Sequence, residues 1–319
     1  MTSESTVPHL DVELADPPAA RWAGLAPYRS AAKQLIASYA QEIGGGQLVP
    51  DLLGAFCEGY VEKEYVEEMR AVSRILGISE TDVLLSNLYY DALKVVMGCT
   101  GFAVDDASGP LHARNLDWGT TDRMLSRHTI VLDYRWRGEL RYRVVGWPGY
   151  LGALSGIAPG RFALSLNAVL SEDAPELAQP VTFLLRTLLA RAVSFDDVVR
   201  TLAHVEIASD CLLLATGTRG GEIAVVERTP KRSAVRGPAN GAVVVTNDYR
   251  SLAARSDGVT GLVGTSCGRF DRASALVAAT HPRTPEACFA ILRDEGVRME
   301  ITVQSMVFRA ATGDLIVRV

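Results

Sequence analysis

One stretch of this chain sets chemistry-bearing residues close together. It reads Met97-Gly98-Cys99-Thr100-Gly101-Phe102, followed by His112-Ala113-Arg114-Asn115-Leu116-Asp117-Trp118-Gly119. A cysteine stands behind a glycine at the head of a strand-like run, and a returning run carries an arginine and an aspartate. An isolated thiol has a pKa of about 8.5 and supplies little thiolate at neutral pH without help. Arg114 is suited to lower that value. Asp117 is suited to hold a free α-amine, whose pKa of about 7.7–8.0 makes it a serviceable base at neutral pH. The arrangement suggests a chain that cuts itself at Gly98-Cys99 and frees a cysteine whose own amine is its base. Taken alone, a cysteine after a helix is more often a small buried apolar residue, and the Arg114/Asp117 pair an ordinary ion pair. Residues three apart also point to opposite faces of a regular strand. For both to reach one site, the strand is expected to bend or end near Asn115-Leu116.

The elements around these residues follow from periodicity and punctuation. Residues 1 to about 24 read as extended and proline-rich. PYRSAAKQLIASYAQEI, from Pro27 to Ile43, has helical spacing and is stopped by Gly44-Gly45-Gly46. Further helices are expected near 50–75 and 80–96, the second N-capped by Ser79 or Thr81. From Cys99 the texture turns to strands, at CTGFAV, LHARNLDW, 128–134, 140–147 and 161–169. Residues 181–204 read as helix, with Ser194 as a cap inside the stretch. Strands return at 211–216, 222–228 and 241–247. Helices follow at 270–280 and 284–294, and a final hairpin turns at Thr312-Gly313. This order lacks regular β-α-β alternation. It predicts an α+β fold of antiparallel sheets with layered helices.

The bulk numbers narrow the function classes. The 319 residues suffice for a large core; 48% are hydrophobic and 22% charged, which are globular values. A net charge of −5 without a basic block gives no support to a nucleic-acid partner. Cys57, Cys99, Cys211, Cys267 and Cys288 are widely spaced and odd in number, with no zinc or disulfide pattern. Cys211 and Cys267 read as buried thiols. Reduced thiols, no apolar leader in the first twenty residues and no long apolar run point to a cytoplasmic protein without a transmembrane helix.

The run NLYYDALKVVMGCTGFAVDDASGPLHARNLDWG resembles the acid ceramidase and N-acylethanolamine acid amidase group. With bile salt hydrolases and penicillin V acylases, these form the cholylglycine-hydrolase branch of N-terminal nucleophile hydrolases. HLDVELADPPAARW resembles that group's N-terminal segment, and GYLGALSGIAPGRFALSLN its substrate wall. VVVTNDYRS resembles its Thr-Asn motif, and GRFDRASAL its late arginine motif. The resemblance therefore covers most of the chain.

It implies an αββα four-layer sandwich of two antiparallel sheets. It also implies a helical segment 1–98 that stays bound after autocleavage between Gly98 and Cys99, and a catalytic region 99–319. Cys99 matches the nucleophile, Arg114 the thiolate-stabilising arginine and Asp117 the residue that orients the α-amine. Asn247 matches the oxyanion-hole asparagine and Asn167 a second polar residue beside the oxyanion. Arg269 matches the late arginine, with Arg272 a competitor one turn further on. Ceramidase and amidase members carry an acidic residue near the Asn167 position. Asparagine there brings the pattern closer to bile salt hydrolases and argues against a strictly acidic optimum. Trp118, Trp147 and Tyr150 are candidates for an acyl pocket, and ordinary core packing is the stronger reading for them.

The implied reaction is hydrolysis of linear N-acyl amides, with a fatty-acyl chain on the carbonyl side, through a Cys99 thioester. No metal or organic cofactor is implied. The expected partners are a small N-acyl amide substrate and a transient lipid or membrane surface, and a homo-oligomer is left open. An acyltransferase using the same acyl-enzyme is the alternative. A non-catalytic lipid-binding protein of the same fold is the third reading.

Overall fold

The computed structural model describes residues 7–42, 50–88, 91, 97–119, 123–252 and 263–319. Two sheets form its centre. The larger has eight strands in the order β1-β4-β5-β6-β7-β8-β9-β10. Its strands are β1 (His9–Glu13), β4 (Ile130–Trp136), β5 (Glu139–Gly146), β6 (Ser155–Ala158), β7 (Phe162–Asn167), β8 (Cys211–Thr216), β9 (Ile223–Arg228) and β10 (Ser233–Arg236). The smaller runs β11-β2-β3-β12-β13, with β2 (Met97–Val104), β3 (Leu111–Trp118), β11 (Ala242–Val245), β12 (Thr302–Arg309) and β13 (Asp314–Arg318). All pairings are antiparallel except β1 with β4.

Helices cover both outer faces. On the eight-stranded sheet lie α2 (Arg29–Glu42), α3 (Pro50–Tyr60), α4 (Lys63–Leu76), α5 (Glu80–Asn87), α7 (Val181–Arg191) and α8 (Phe195–His204). Short α1 (Pro18–Arg21) and α6 (Met124–Arg127) sit in connections. On the five-stranded sheet lie α9 (Ser266–Thr280) and α10 (Pro285–Leu292), packed on Phe102, Ala113, Val244 and Val307. Between the sheets, Ala103, Val243 and Val245 meet Leu212, Leu214 and Val225, while Met306 and Phe308 meet Val145 and Ile157. The result is a four-layer αββα sandwich. Every residue of β2, β3, β7 and β8 is buried, as strands covered on both faces must be.

Local chemistry sets the helix ends. Ser79 caps α5 by accepting from the Asp82 amide at 3.1 Å, and Ser194 caps α8 in the same way from Asp197. In α4, Tyr65, Val66, Met69, Val72 and Leu76 repeat at helical spacing and bury one face. Gly77 ends that helix at φ 62°, and its amide returns to Ser73 O. Two expected helices are each divided. The stretch 50–75 breaks at Val61-Glu62 into α3 and α4. The stretch 181–204 breaks at 192–194 into α7 and α8, because Ser194 starts a new N-cap instead of continuing the turn. The helix expected over 80–96 runs from Glu80 to Asn87, and residues 89–90 and 92–96 lie outside the described residues, as do Gly44-Gly45-Gly46. Short β6 and β10, and β1 in the proline-rich leader, carry too few alternating residues to stand out in the sequence.

The described residues before Cys99 are built into the sandwich. They supply edge strand β1, in register with β4 from His9↔Val131 to Glu13↔Arg135, and the helices α2–α5. A buried charge cluster fastens them. Glu68 on α4 receives a two-pronged contact from Arg186 on α7, at 2.6 and 2.9 Å, and a further one from Arg21. The Arg186 guanidinium lies over the rings of Tyr65 at 4.3 Å and Tyr134 at 4.9 Å.

Candidate active site

Strands β2 and β3 pair without interruption from Met97↔Trp118 to Val104↔Leu111. Two expectations are corrected here. Strand β2 starts at Met97, before Cys99, so Gly98-Cys99 is an internal strand peptide. β3 does not end at Asn115-Leu116; it continues to Trp118 in unbroken register with β2, and the irregularity beside Leu116-Asp117 falls between Thr302 and Gln304 on β12. Arg114 and Asp117 accordingly lie on opposite faces. They reach the same residue because Cys99 offers each face something different: its thiol to one, its backbone to the other.

On the face between the sheets, the Cys99 Sγ lies 3.1 Å from Arg114 Nη2 and 3.8 Å from Leu166 O. Arg114 is fully buried and is held by the carbonyls of Leu154 and Leu166 and by Ser155 Oγ. Among the described residues no carboxylate forms an ion pair with it. Its positive charge is therefore directed at the thiol and at neutral oxygens.

On the face toward α9, Asp117 stands opposite Gly98. Its Oδ1 accepts from Thr302 Oγ1 at 2.6 Å, and its Oδ2 is buried without a hydrogen bond. Arg269 Nη1 is 4.0 Å from that Oδ2. Burial raises the Asp117 pKa, with Thr302 and the arginines pulling the other way. Burial also lowers the Arg269 value. A methyl group placed on Gly98 would come within 3.1 Å of Met299 Sδ and 3.2 Å of Asp117 Cβ. Glycine is therefore the residue that lets the carboxylate lie this close to the Gly98-Cys99 peptide.

The backbone of Cys99 is held from the β11 side. Its N–H donates to Asn247 Oδ1 at 3.1 Å, and its carbonyl accepts from Arg269 Nη1 at 2.7 Å. Arg269 also reaches Asn247 Oδ1 at 2.7 Å and Thr100 Oγ1 at 2.8 Å. Alternation along an antiparallel strand then turns the Gly98 N–H and carbonyl toward Asp117's backbone on β3. Asn247 follows directly on β11, and its own amide is fixed by Ser266 Oγ at 2.8 Å. Its Nδ2 donates one hydrogen to Ala168 O at 2.7 Å, leaving the other available.

Asn167 sits at the end of β7. Its Nδ2 donates to Val245 O at 3.2 Å and Thr246 O at 2.9 Å, so both hydrogens hold the segment that carries Asn247. Its Oδ1 is buried and unpartnered. In this state Asn167 is a clamp with a spare acceptor, not a spare donor. Arg272 points elsewhere, pairing with Asp294 at the surface at 2.6 Å. Cys99, Arg114, Asp117, Asn167, Asn247 and Arg269 thus converge, and Arg272 does not.

Sequence reasoning missed Thr302, Ser266 and Met299. None has a motif of its own, and only the β12–β3 pairing and the α9 docking bring them in. Trp118, Trp147 and Tyr150 are buried and stack edge-on at 5.6 and 6.0 Å. Cys211 is buried, but Cys267 is exposed, since it lies on the outer side of α9 while Ser266 and Arg269 face the site. Among the described residues no group of three or more His, Cys, Asp or Glu side chains is placed to hold a metal.

Residues 104–303 match the family model described as acyl-coenzyme A:6-aminopenicillanic acid acyl-transferase, a span that begins after Cys99. The chain belongs to this family. Its relatives include acid ceramidases and N-acylethanolamine-hydrolyzing acid amidases, the group that the sequence resembles. The N-acylethanolamine-hydrolyzing acid amidase of Cavia porcellus is 28% identical over 336 aligned positions, covering 96% of this chain and 88% of that protein. The acid ceramidase of Balaenoptera acutorostrata scammoni is 25% identical over 263 residues and 71% of this chain, which spans 65% of that protein's length. The solved Caenorhabditis elegans orthologue of N-acylethanolamine-hydrolyzing acid amidase superposes with a TM-score of 0.59 at 22% identity. It covers 68% of this chain and 94% of its own, and confirms the fold.

Proposed function

We propose that this chain is a self-processing cysteine amidohydrolase that cuts Gly98-Cys99 and then cleaves the amide bond of N-acyl, fatty-acyl, substrates through a Cys99 thioester. The observation that carries this reading is the buried Asp117 Oδ2 beside Gly98, which accepts no hydrogen bond among the described residues and has only the Arg269 guanidinium, 4.0 Å away, as a charge partner. A buried carboxylate oxygen without a donor is costly, and such exceptions call for a reason. The reason offered here is a donor that appears only on cutting. The amide of Cys99 has one hydrogen, already given to Asn247. An α-ammonium at the same nitrogen has three, and Asp117 Oδ2 is an acceptor on the adjoining Gly98 position.

Cys99 Sγ, polarised by Arg114, attacks the Gly98 carbonyl; the C–N bond breaks and the amine takes the thiol proton. Water hydrolyses the resulting thioester, leaving a Gly98 carboxylate and a free Cys99 amine and thiol. With substrate, the α-amine carries the proton from thiol to leaving amine, and the free Asn247 Nδ2 hydrogen serves the oxyanion. Residues 1–98 remain bound through β1 and Glu68. The proposed setting is a reducing one such as the cytoplasm, in keeping with five free cysteines. No helix among the described residues is long and apolar enough to cross a membrane.

Denaturing electrophoresis tests this. Wild type is expected to give fragments 1–98 and 99–319, and Cys99→Ala a single inactive chain. Full activity from an uncut wild-type chain overturns the reading. A second reading, acyl transfer to an amine, is favoured by the description of the matching family model. It shares every step up to the thioester.

A further inference from the structure

Resting on that reading, we propose that Met299 is the acceptor-selecting residue, deciding whether water or a primary amine takes the acyl group from Cys99. In self-cleavage the acyl group handed to the thiol is Gly98 itself, so the uncut chain marks where a transferred acyl carbon lies. Met299 packs on that spot. Its Sδ is 3.1 Å from the position of a methyl on Gly98, whose α-carbon is one bond from the scissile carbonyl. Asp117 Oδ2 shares the same face, at 3.5 Å from that position.

Behind Met299 lies a chamber of 670 Å³, bounded also by Thr265, Arg269, Arg272, Arg298 and Ile301. It is large enough for a small organic amine as well as water. It touches both sides of the reacting peptide, through Met299 at Gly98 and through Arg269, which holds the Cys99 carbonyl. Met299 is half-buried, lines this chamber and packs against the Gly98 position. A turn fixes its place. The Met299 amide donates to Thr302 Oγ1 at 3.1 Å, the Thr302 amide donates to Met299 O at 3.0 Å, and Thr302 Oγ1 donates to Asp117. The same hydroxyl therefore positions the barrier and the carboxylate.

Water passes a methionine side chain that a larger amine does not. An amine reaching this face meets Asp117, whose carboxylate accepts from its N–H groups. The deacylation then balances in either form. Water gives free acid and thiol; an amine gives a new amide and thiol, with its proton returned to the sulfur.

The test is partition of one acyl-enzyme between acceptors. An N-acylethanolamine is turned over in the presence of hydroxylamine or benzylamine, and the ratio of transfer product to free acid is measured for wild type, Met299→Ala and Met299→Trp. The alanine variant is expected to raise the benzylamide-to-acid ratio several-fold, with a smaller rise for hydroxylamine. The tryptophan variant is expected to lower both ratios. Met299→Val replaces the alanine variant if that chain fails to fold. A general loss of packing alters total rate but not this ratio, because both products come from one intermediate. Unchanged ratios in fully self-cleaved variants overturn the role of Met299. An uncut, active wild type instead overturns the Gly98-Cys99 reading, and this proposal with it.

Discussion

Among the described residues two arginines, Arg114 and Arg186, are wholly buried, and they are treated in opposite ways. Arg186 is neutralised: Glu68 meets it on two nitrogens, and the rings of Tyr65, Tyr134 and Trp22 cover its faces. Arg114 has no such partner among the described residues. It is held by two carbonyls and a serine hydroxyl, with one nitrogen turned to the Cys99 thiol. A buried cation in a fully paired cluster serves assembly, because its charge is already spent. A buried cation fastened only by neutral oxygens keeps its field for whatever charge develops nearby. The difference separates scaffold from site more clearly than burial does.

The largest effect is expected at Arg114. Arg114→Met removes the field and should lower kcat/KM by roughly 10²–10³ or more, the scale of losing one preorganised donor in acyl transfer. Alkylation of Cys99 by iodoacetamide at neutral pH should be slower than in wild type, since the guanidinium 3.1 Å from the sulfur is gone. An unchanged rate would equate the two arginines. At Glu68 the expected loss is in stability. Glu68→Gln strands Arg186 and should cost about 3–5 kcal/mol in urea unfolding, while kcat per folded molecule holds. A Glu68→Leu/Arg186→Leu double variant should recover most of that loss, since apolar replacement of a buried pair is often close to neutral.

A smaller, pH-dependent effect belongs to Asp117. Burial raises its pKa above the ordinary value of 3.8, so between that value and the folded one the native state binds more protons than the unfolded. Its contribution to stability therefore falls as pH rises through this window and stays low above it. In a Cys99→Ala background, Asp117→Asn should raise Tm at neutral pH, and the gain should vanish as pH falls below the ordinary carboxylate range. A gain that persists there would mean the carboxylate is not paying a burial penalty. The smallest effect reads Arg114's charge directly. His112, on the same face of β3, is pushed down to about 3 by burial and by Arg114. Its folded value lies below the ordinary 6.5, so its share of stability is lost as pH falls from 6.5 toward 3. Arg114→Met should raise the His112 value without restoring it to 6.5, as read by NMR titration.

These contrasts bear on what the sequence could show. Cys99, Arg114, Asp117, Asn247 and Arg269 were legible because each stands in a short motif with its own spacing. The strand texture of LHARNLDW was visible too, but its geometry was not. Periodicity puts Arg114 and Asp117 on opposite faces; a bend is required only if both must meet the Cys99 side chain, and Asp117 instead stands opposite Gly98, beside the Cys99 backbone. The choice between Arg269 and Arg272 depended on which face of α9 meets β2, a fact that lies in the packing of Phe102 and Val244 rather than in the Gly-Arg-Phe-Asp-Arg string. Asn167 was visible as a residue, but not the direction of its amide. Glu68 and Arg186 are 118 positions apart and carry no motif.

The parallel pairing of β1 with β4 has a consequence for how the protein ages. In the uncut chain that edge strand, and the helices that follow it, fold as part of one molecule. After a cut at Gly98 the same contacts join two molecules, and re-forming them after unfolding becomes a second-order event that dilution slows. The effective concentration of about millimolar that a tether supplies is gone. The cut form then endures only as long as it stays folded, and its lifetime is set by the height of the unfolding barrier rather than by an equilibrium. Processing of this kind would give the protein a single assembly, made once.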